Sequence, residues 1–223
     1  MKKYHLIVAA TEHEVQPLTK NAHRINDMYN LYNLWQNTCL LVGGVGQYST
    51  IFHLMNCLQK TGTPQSIINI GICGSYTENH APENIVQVEN DVQGDQLVES
   101  PEDWSTWHKA GIVKERQSPL TPSTPPWADA LRLPKVSGLT TDFLTGKMST
   151  IQKRKTFFKA DVETMEGAAV FYVAERFNIP ALQIRAVSNY VEQREKKHWK
   201  LNESISQLNK FVLENLKPIL TRY

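Results

Sequence analysis

The stretch Thr38-Cys39-Leu40-Leu41-Val42-Gly43-Gly44-Val45-Gly46, running into QYSTIFHLMNCLQK over residues 47–60, reads as strand, glycine turn and helix. The run from Thr38 to Val42 is continuous and mostly apolar, as in a strand buried on both faces. Ile51, Leu54, Met55 and Leu58 then recur at helical spacing. Working outward, Ser66 to Ile70 is a second apolar run, and Gly71-Ile72-Cys73-Gly74-Ser75 after it predicts another glycine-rich turn. Upstream, Tyr4 to Ala10 is a strand candidate that passes into Thr11-Glu12-His13-Glu14-Val15-Gln16-Pro17, a turn entering a helix. Ionisable side chains and glycine turns therefore follow successive strand ends, where ligands of α/β sheets collect.

Downstream, Ile85 to Val88, Lys135 to Thr141, Asp161 to Glu163 and Ala181 to Val187 are further strand candidates, the last broken by Ser188-Asn189. Ser149 to Phe158 is a helix candidate. Met165, Ala169, Val173 and Phe177 are spaced by four, with Thr164 as the expected N-cap, which puts Glu166 in the first helical turn. Leu201, Ile205, Leu208, Val212, Leu216 and Leu220 predict an amphipathic, core-packed closing helix. From Asp91 to Pro134 the chain changes character, with Pro101, Pro119, Pro122, Pro125, Pro126 and Pro134 interspersed with Trp104, Trp107 and Trp127. This segment reads as an insertion with a lid or subunit-contact role. Strands alternating with helices along the chain predict an α/β fold with a parallel or mixed sheet.

Composition narrows the function classes. The 223 residues are 41% hydrophobic and 21% charged, which predicts one globular domain over residues 1–223 and excludes collagen-like and low-complexity classes. With 24 Lys plus Arg against 22 Asp plus Glu, the formal charge of +2 offers no basic field for nucleic acid or membrane surfaces. A small polar ligand is the expected partner. Cys39, Cys57 and Cys73 lack metal-ligand spacing and read as reduced core thiols of a cytoplasmic protein. Neither glycine turn continues into a phosphate loop or spells the dinucleotide fingerprint.

In combination, several segments resemble one family. Ala10-Thr11-Glu12-His13-Glu14-Val15, Gly43-Gly44-Val45-Gly46, Asn69-Ile70-Gly71-Ile72-Cys73-Gly74, Val162-Glu163-Thr164-Met165-Glu166-Gly167-Ala168-Ala169-Val170 and Arg185-Ala186-Val187-Ser188-Asn189 are similar to the purine nucleoside phosphorylase and nucleosidase superfamily. The resemblance spans almost the whole chain and is nearest in length to the methylthioadenosine/S-adenosylhomocysteine nucleosidases. Those adenine nucleosidases carry Asp where this chain has Asn189 and Ser where it has Ile72. Ser188 to Arg194, running into His198-Trp199, together with Gly71 to Tyr76, is similar instead to the futalosine hydrolases, which release hypoxanthine on a route to menaquinone.

The resemblance implies a three-layer nucleoside phosphorylase-like fold with a central mixed sheet flanked by helices, no cofactor, no metal, and a homodimer. It implies hydrolysis of a purine N-glycosidic bond through a transition state with positive charge on the ribose. Glu14 would activate the attacking water, with Glu12 as its rival. Glu166 would accept from the ribose hydroxyls over Met165, and Val45 and Ser188 complete the binding set. Ile72, Cys73 and Gly74 would line the base pocket, and Leu144, with Phe143 as its rival, would stack on the purine. Trp104, Trp107, Arg194 and Lys197 are candidates for the group beyond C5′. Asn189 has a physical reading of its own: an amide can donate to O6 of a 6-oxopurine and accept at N7–H, whereas adenine offers a donor at its 6-amino group. Methylthioadenosine/S-adenosylhomocysteine nucleosidase and a non-catalytic nucleoside-binding protein are the alternatives.

Overall fold

Runs of Val, Ile and Leu without alternating polar residues become the central strands, covered on both faces. The computed structural model describes residues 4–26, 30–101, 103–114, 118–192, 197 and 199–222. The strands are β1 His5–Ala9, β2 His23–Asn26, β3 Leu31–Trp35, β4 Thr38–Val42, β5 Ser66–Ser75, β6 Ile85–Gln93, β7 Leu97–Glu99, β8 Trp104–Thr106, β9 Lys135–Thr140, β10 Val162–Thr164 and β11 Ala181–Tyr190. The helices are α1 Glu12–Thr19, α2 Gln47–Thr61, α3 Met148–Phe158, α4 Gly167–Arg176, α5 Leu201–Phe211 and α6 Lys217–Leu220. All but β7 and β8 join one mixed sheet in the order β10-β9-β6-β11-β5-β1-β4-β3-β2, and β10 also pairs with β5, closing one end of the sheet into a ring.

Helices cover both faces. On one side Val15 and Leu18 of α1 and Leu208 of α5 pack with Ile7, Leu40, Ile68 and Ile184. On the other, Leu54 and Leu58 of α2 and Val170, Phe171 and Val173 of α4 pack with the alternate residues Leu6, Val8, Leu41 and Ile67. This is the expected three-layer arrangement, produced by strands whose successive side chains enter opposite cores. None of the described helices is long and apolar enough to cross a membrane.

Several elements differ from the sequence expectation. Gly71 to Gly74 do not form a turn: β5 runs straight through them to Ser75, because β11 continues to pair with it past Arg185. Thr164 is the last residue of β10, and α4 begins only at Gly167, so Glu166 sits at the N-cap position outside the first turn. Thr164 Oγ1 still accepts from Gly167 N, at 3.3 Å, across the short connection. Asp91, placed at the start of the insertion, lies inside β6 and is fully buried. Leu120 bridges back to it, and Trp127, Ala128 and Leu131 enter the core beside α1 and α5. The closing helix is interrupted at Val212–Leu216 by a wide π turn before Pro218, whose ring nitrogen has no proton for the regular ladder. The antiparallel pair β2 and β3, extending the sheet beyond β4, carries no strong alternation and was not expected from sequence.

Candidate active site

The Thr11-Glu12-His13-Glu14 sequence folds as a capping box, which fixes a carboxylate at the mouth of β1. Glu14 N donates to Thr11 Oγ1 at 3.3 Å, while Thr11 N and Oγ1 each donate to Glu14 Oε2 at 3.0 Å. The other oxygen, Oε1, accepts from Ile72 N at 3.2 Å. That N–H is free for it because β1 pairs with β5 only as far as Asn69. Glu14 is buried, whereas Glu12 is exposed and accepts from Tyr32 Oη at 2.7 Å outside the cavity.

The second carboxylate, Glu166, is held from two sides. Gly46 N donates to its Oε1 at 3.1 Å, and Arg185 Nη1 lies 3.8 Å from its Oε2. Burial pushes the Glu166 carboxyl above its ordinary range, and the charges of Glu14 and Asp142 add to the rise. The Arg185 charge and the Gly46 N–H oppose it. Arg185 is 1% exposed. Its Nε donates to Gln183 Oε1 at 2.9 Å and its Nη2 to Asn69 Oδ1. Gln183 Nε2 donates in turn to Asp91 Oδ2 at 2.9 Å, and Thr140 Oγ1 to Asp91 Oδ1 at 2.8 Å. Burial holds Asp91 up at about 6 despite these bonds. Gly71 is needed where the guanidinium crosses the strand: a Cβ there would lie 2.4 Å from Arg185 Nη1 and 2.9 Å from Glu14 Oε1. One guanidinium thus stands beside both carboxylates.

A bulge in β11 shapes the far end. Val187 pairs with Cys73 and Asn189 with Gly74, so Ser188 is the extra residue. Ser188 Oγ lies 2.7 Å from Asn189 Oδ1 and 3.1 Å from Cys73 O, and Asn189 Nδ2 donates to Tyr190 O at 2.8 Å. A carbonyl only accepts, so this last bond fixes which end of the amide is nitrogen. Glu163 of β10 accepts at Oε2 from Tyr76 Oη and from Arg154 Nη1, the latter at 3.1 Å. Burial raises the Glu163 carboxyl, against the bonds from Tyr76 and Arg154. Burial likewise raises the Cys73 thiol to about 12, so it packs as a thiol and supplies no nucleophile.

These residues enclose a cavity of about 320 Å³. Glu14, Val45, Ile72, Cys73, Gly74, Leu144, Met165, Glu166, Ser188 and Asn189, all singled out from sequence, line it together. Phe143 does not: the residue is 64% exposed, and its ring lies under the Arg154 guanidinium at 5.5 Å. Trp107 lines a separate groove, and Trp104 packs on Phe157 and Phe158 of α3, so neither tryptophan borders the cavity. Lys197 does not line it either, and Arg194 and His198 lie outside the described residues. Sequence reasoning missed Glu163, Tyr190, Trp199, Leu201 and Ile205 as lining residues. Glu163 stood inside the quoted Val162 to Val170 segment but read as a strand end. Leu201 and Ile205 read only as the apolar face of α5.

Residues 136–220 match the family model of the phosphorylase superfamily. The whole chain superposes on a methylthioadenosine nucleosidase mutant of Helicobacter pylori with 5′-methylthioadenosine in its active site, at TM-score 0.82 and 18% identity, covering 100% of both chains. This chain has the phosphorylase superfamily fold. Native futalosine hydrolase of Helicobacter pylori aligns at TM-score 0.80 and 18% identity, covering 99% of this chain and 98% of that one. The 5′-methylthioadenosine nucleosidase of Arabidopsis thaliana in its apo form aligns at 0.77 and 22%, covering 99% and 97%. No curated protein matches the chain by sequence. Within the phosphorylase superfamily fold the cavity stands at the carboxyl ends of β1, β5 and β11, with Val45 after β4 and Glu166 between β10 and α4.

Proposed function

We propose that the chain is a purine nucleosidase that hydrolyses the N-glycosidic bond of futalosine, releasing hypoxanthine in the cytoplasm on the futalosine route to menaquinone. The observation that carries this reading is the single cavity bordered by two buried carboxylates, Glu14 and Glu166, and by the Asn189 amide. The likeness to solved nucleosidases and to a futalosine hydrolase supports the reaction class. In the reaction, the C1′–N9 bond breaks with its electron pair leaving on the base, and water oxygen bonds to C1′. Glu14, aimed by Thr11 and Ile72, takes the proton of that water. Glu166 accepts from the ribose hydroxyls, and its negative charge favours the cationic sugar of the transition state. The base acquires its proton from solvent, since an amide at position 189 accepts an N7–H but has no acidic proton to give.

Hydrolysis is favoured over phosphorolysis by the lining, which among the described residues contains no Lys or Arg side chain to hold a phosphate. Asn189 favours a 6-oxopurine over adenine, with Nδ2 toward O6 and Oδ1 toward N7–H. The protein acts as a homodimer in this reading. Tyr48, Phe52 and Met55 share one exposed face of α2, and Val45 and Leu144, 53% and 45% exposed, continue it to the rim of the cavity. A second copy covering this face would remove the apolar patch from water and close the substrate side.

Free base is followed after incubation with futalosine, aminodeoxyfutalosine, methylthioadenosine and inosine, with and without phosphate. Futalosine is cleaved fastest and phosphate does not change the rate. Fast methylthioadenosine cleavage with inert futalosine overturns the substrate assignment, and a phosphate requirement overturns hydrolysis. Asn189→Asp shifts the ratio of kcat/KM for aminodeoxyfutalosine over futalosine upward by about 10-fold or more, the scale of one exchanged base-edge contact. An unchanged ratio removes Asn189 from base recognition.

A further inference from the structure

The reaction above leaves one fully buried carboxylate without a task. Asp91 on β6 is 0% exposed and does not border the cavity, yet the chain makes room for it from two sides. A Cβ on Gly138 of β9 would stand 2.8 Å from Asp91 Oδ2, and one on Gly167, the first residue of α4, would overlap both that oxygen and the Gln183 amide. Burying a carboxylate is costly, so what its two oxygens hold decides its role.

Each nitrogen of the Arg185 guanidinium has its own destination. Nε donates to Gln183 Oε1 at 2.9 Å, Nη2 donates to Asn69 Oδ1, and Nη1 is left facing Glu166 Oε2 at 3.8 Å. The guanidinium is planar and rigid, so the first two bonds fix where Nη1 points. Both need an amide held oxygen-first toward the cation. For Asn69 a main-chain carbonyl does this, since Asn69 Nδ2 donates to Val8 O at 3.1 Å. For Gln183 the acceptor is Asp91, whose Oδ2 receives Gln183 Nε2 at 2.9 Å. Without that acceptor the Gln183 amide has a buried N–H group unsatisfied and nothing to fix its direction. The other oxygen of Asp91 reaches the opposite flank of Glu166. Thr140 Oγ1 donates to Asp91 Oδ1 at 2.8 Å and accepts at 2.8 Å from Ala168 N, two residues beyond Glu166.

We infer that Asp91 is a positioning residue of the reaction, orienting the Gln183 amide so that Arg185 Nη1 is directed at Glu166, the carboxylate assigned to the ribose hydroxyls. The inference rests on the nucleosidase reading for the task of Glu166 and adds to it a residue outside the cavity. The charged groups that act on Glu166 are Arg185 on β11, Glu14 on α1 and Asp142 after β9, and of these only Arg185 favours its ionised form.

Asp91→Asn and Asp91→Leu remove the same charge and differ in the bond to Gln183. In the asparagine variant Oδ1 still accepts from Gln183 Nε2 while Nδ2 turns to Thr140 Oγ1, whose own proton then points to Thr164 Oγ1, 2.9 Å away. Leucine has a similar shape and no acceptor. The Glu166 carboxyl is titrated by carbon-13 NMR in the full chain, with its signal assigned through Glu166→Gln. The midpoint in Asp91→Leu is expected about half a pH unit or more above that in Asp91→Asn, because a cation aimed less well lowers a carboxyl less. Gln183→Met breaks the same link with Asp91 in place; it is expected to raise the midpoint above the parent's, and it serves where leucine prevents folding. The acid limb of kcat/KM for base release follows these midpoints, whereas a merely structural role lowers the melting temperature and leaves them in place. Equal midpoints in the asparagine and leucine variants, or a Gln183→Met midpoint at or below the parent's, overturn the inference. Midpoints that separate as expected in a protein that releases no base from any nucleoside support the positioning of Arg185 against Glu166 by Asp91 and overturn the nucleosidase reading instead.

Discussion

Glu14→Gln lowers kcat for base release by about 10²- to 10⁴-fold, the range that a positioned general base supplies. The substitution keeps the shape of the side chain, and an amide oxygen can still accept from Ile72 N or from Thr11. What is lost is the capacity to take a proton from water. The scaffold that aims the carboxylate is independent of its charge: α1 is anchored by Val15 and Leu18 in the core, and Asn209 Nδ2 donates to Glu14 O at 2.8 Å. The variant therefore melts within a few degrees of the parent and binds hypoxanthine with similar affinity. Single-turnover release of free base gives the rate, and a variant within a factor of three of the parent transfers the role of the base away from Glu14. Glu12→Gln is the matched control, expected to leave kcat unchanged, because its carboxylate lies on Tyr32 outside the cavity.

Arg185→Met carries the largest expected effect on stability, about 3–5 kcal/mol, as found when one partner of a buried ion pair is removed. The guanidinium is the positive charge next to Glu166 and Glu14, and it also lowers the buried Asp91 carboxyl toward its ionised form. Methionine fills much of the volume and none of the charge. Asn69 Oδ1 and Gln183 Oε1 each lose their donor, and leaving a buried acceptor unsatisfied costs about 1–3 kcal/mol. For a chain of this size each kcal/mol moves the melting temperature by about 2–4 °C, so a fall on the order of 10 °C follows. Urea unfolding and thermal melting measure it, and a loss below about 1 kcal/mol shows that the carboxylates do not depend on this cation. The sign at Glu166 is set by the same change: with the opposing charge gone, burial raises its carboxyl further, and activity that needs the ionised form retreats toward higher pH.

Much of this molecule could be read locally. The apolar runs that form β1, β4 and β11, the helical spacing in α2 and α5, and the Thr11 to Glu14 capping box depend on neighbours within a few residues, so their periodicity and residue types suffice. The same holds for the placement of candidate site residues at strand ends, which brought Glu14, Val45, Met165, Glu166 and Asn189 to one cavity.

Partners distant in sequence decided the rest. Gly71 and Gly74 carry no local mark that separates a turn from a strand, and they are strand because Arg185 and Asn189 approach them from β11. Phe143 and Leu144 are equivalent as sequence, and Arg154 separates them by drawing the ring of Phe143 out over its guanidinium. Glu12 and Glu14 differ by which one meets the Ile72 N–H and which one meets Tyr32. Glu163 becomes a cavity residue through pairings of β10 with both β5 and β9 that no local pattern encodes. The sequence by itself determined the α/β alternation and the set of chemically capable residues, because those follow from side-chain type and short-range spacing. Only the tertiary structure decided which carboxylate pairs with Arg185 and which residues of β10 and β11 border the cavity, because strand register and the shared burial of charge arise from contacts far apart along the chain.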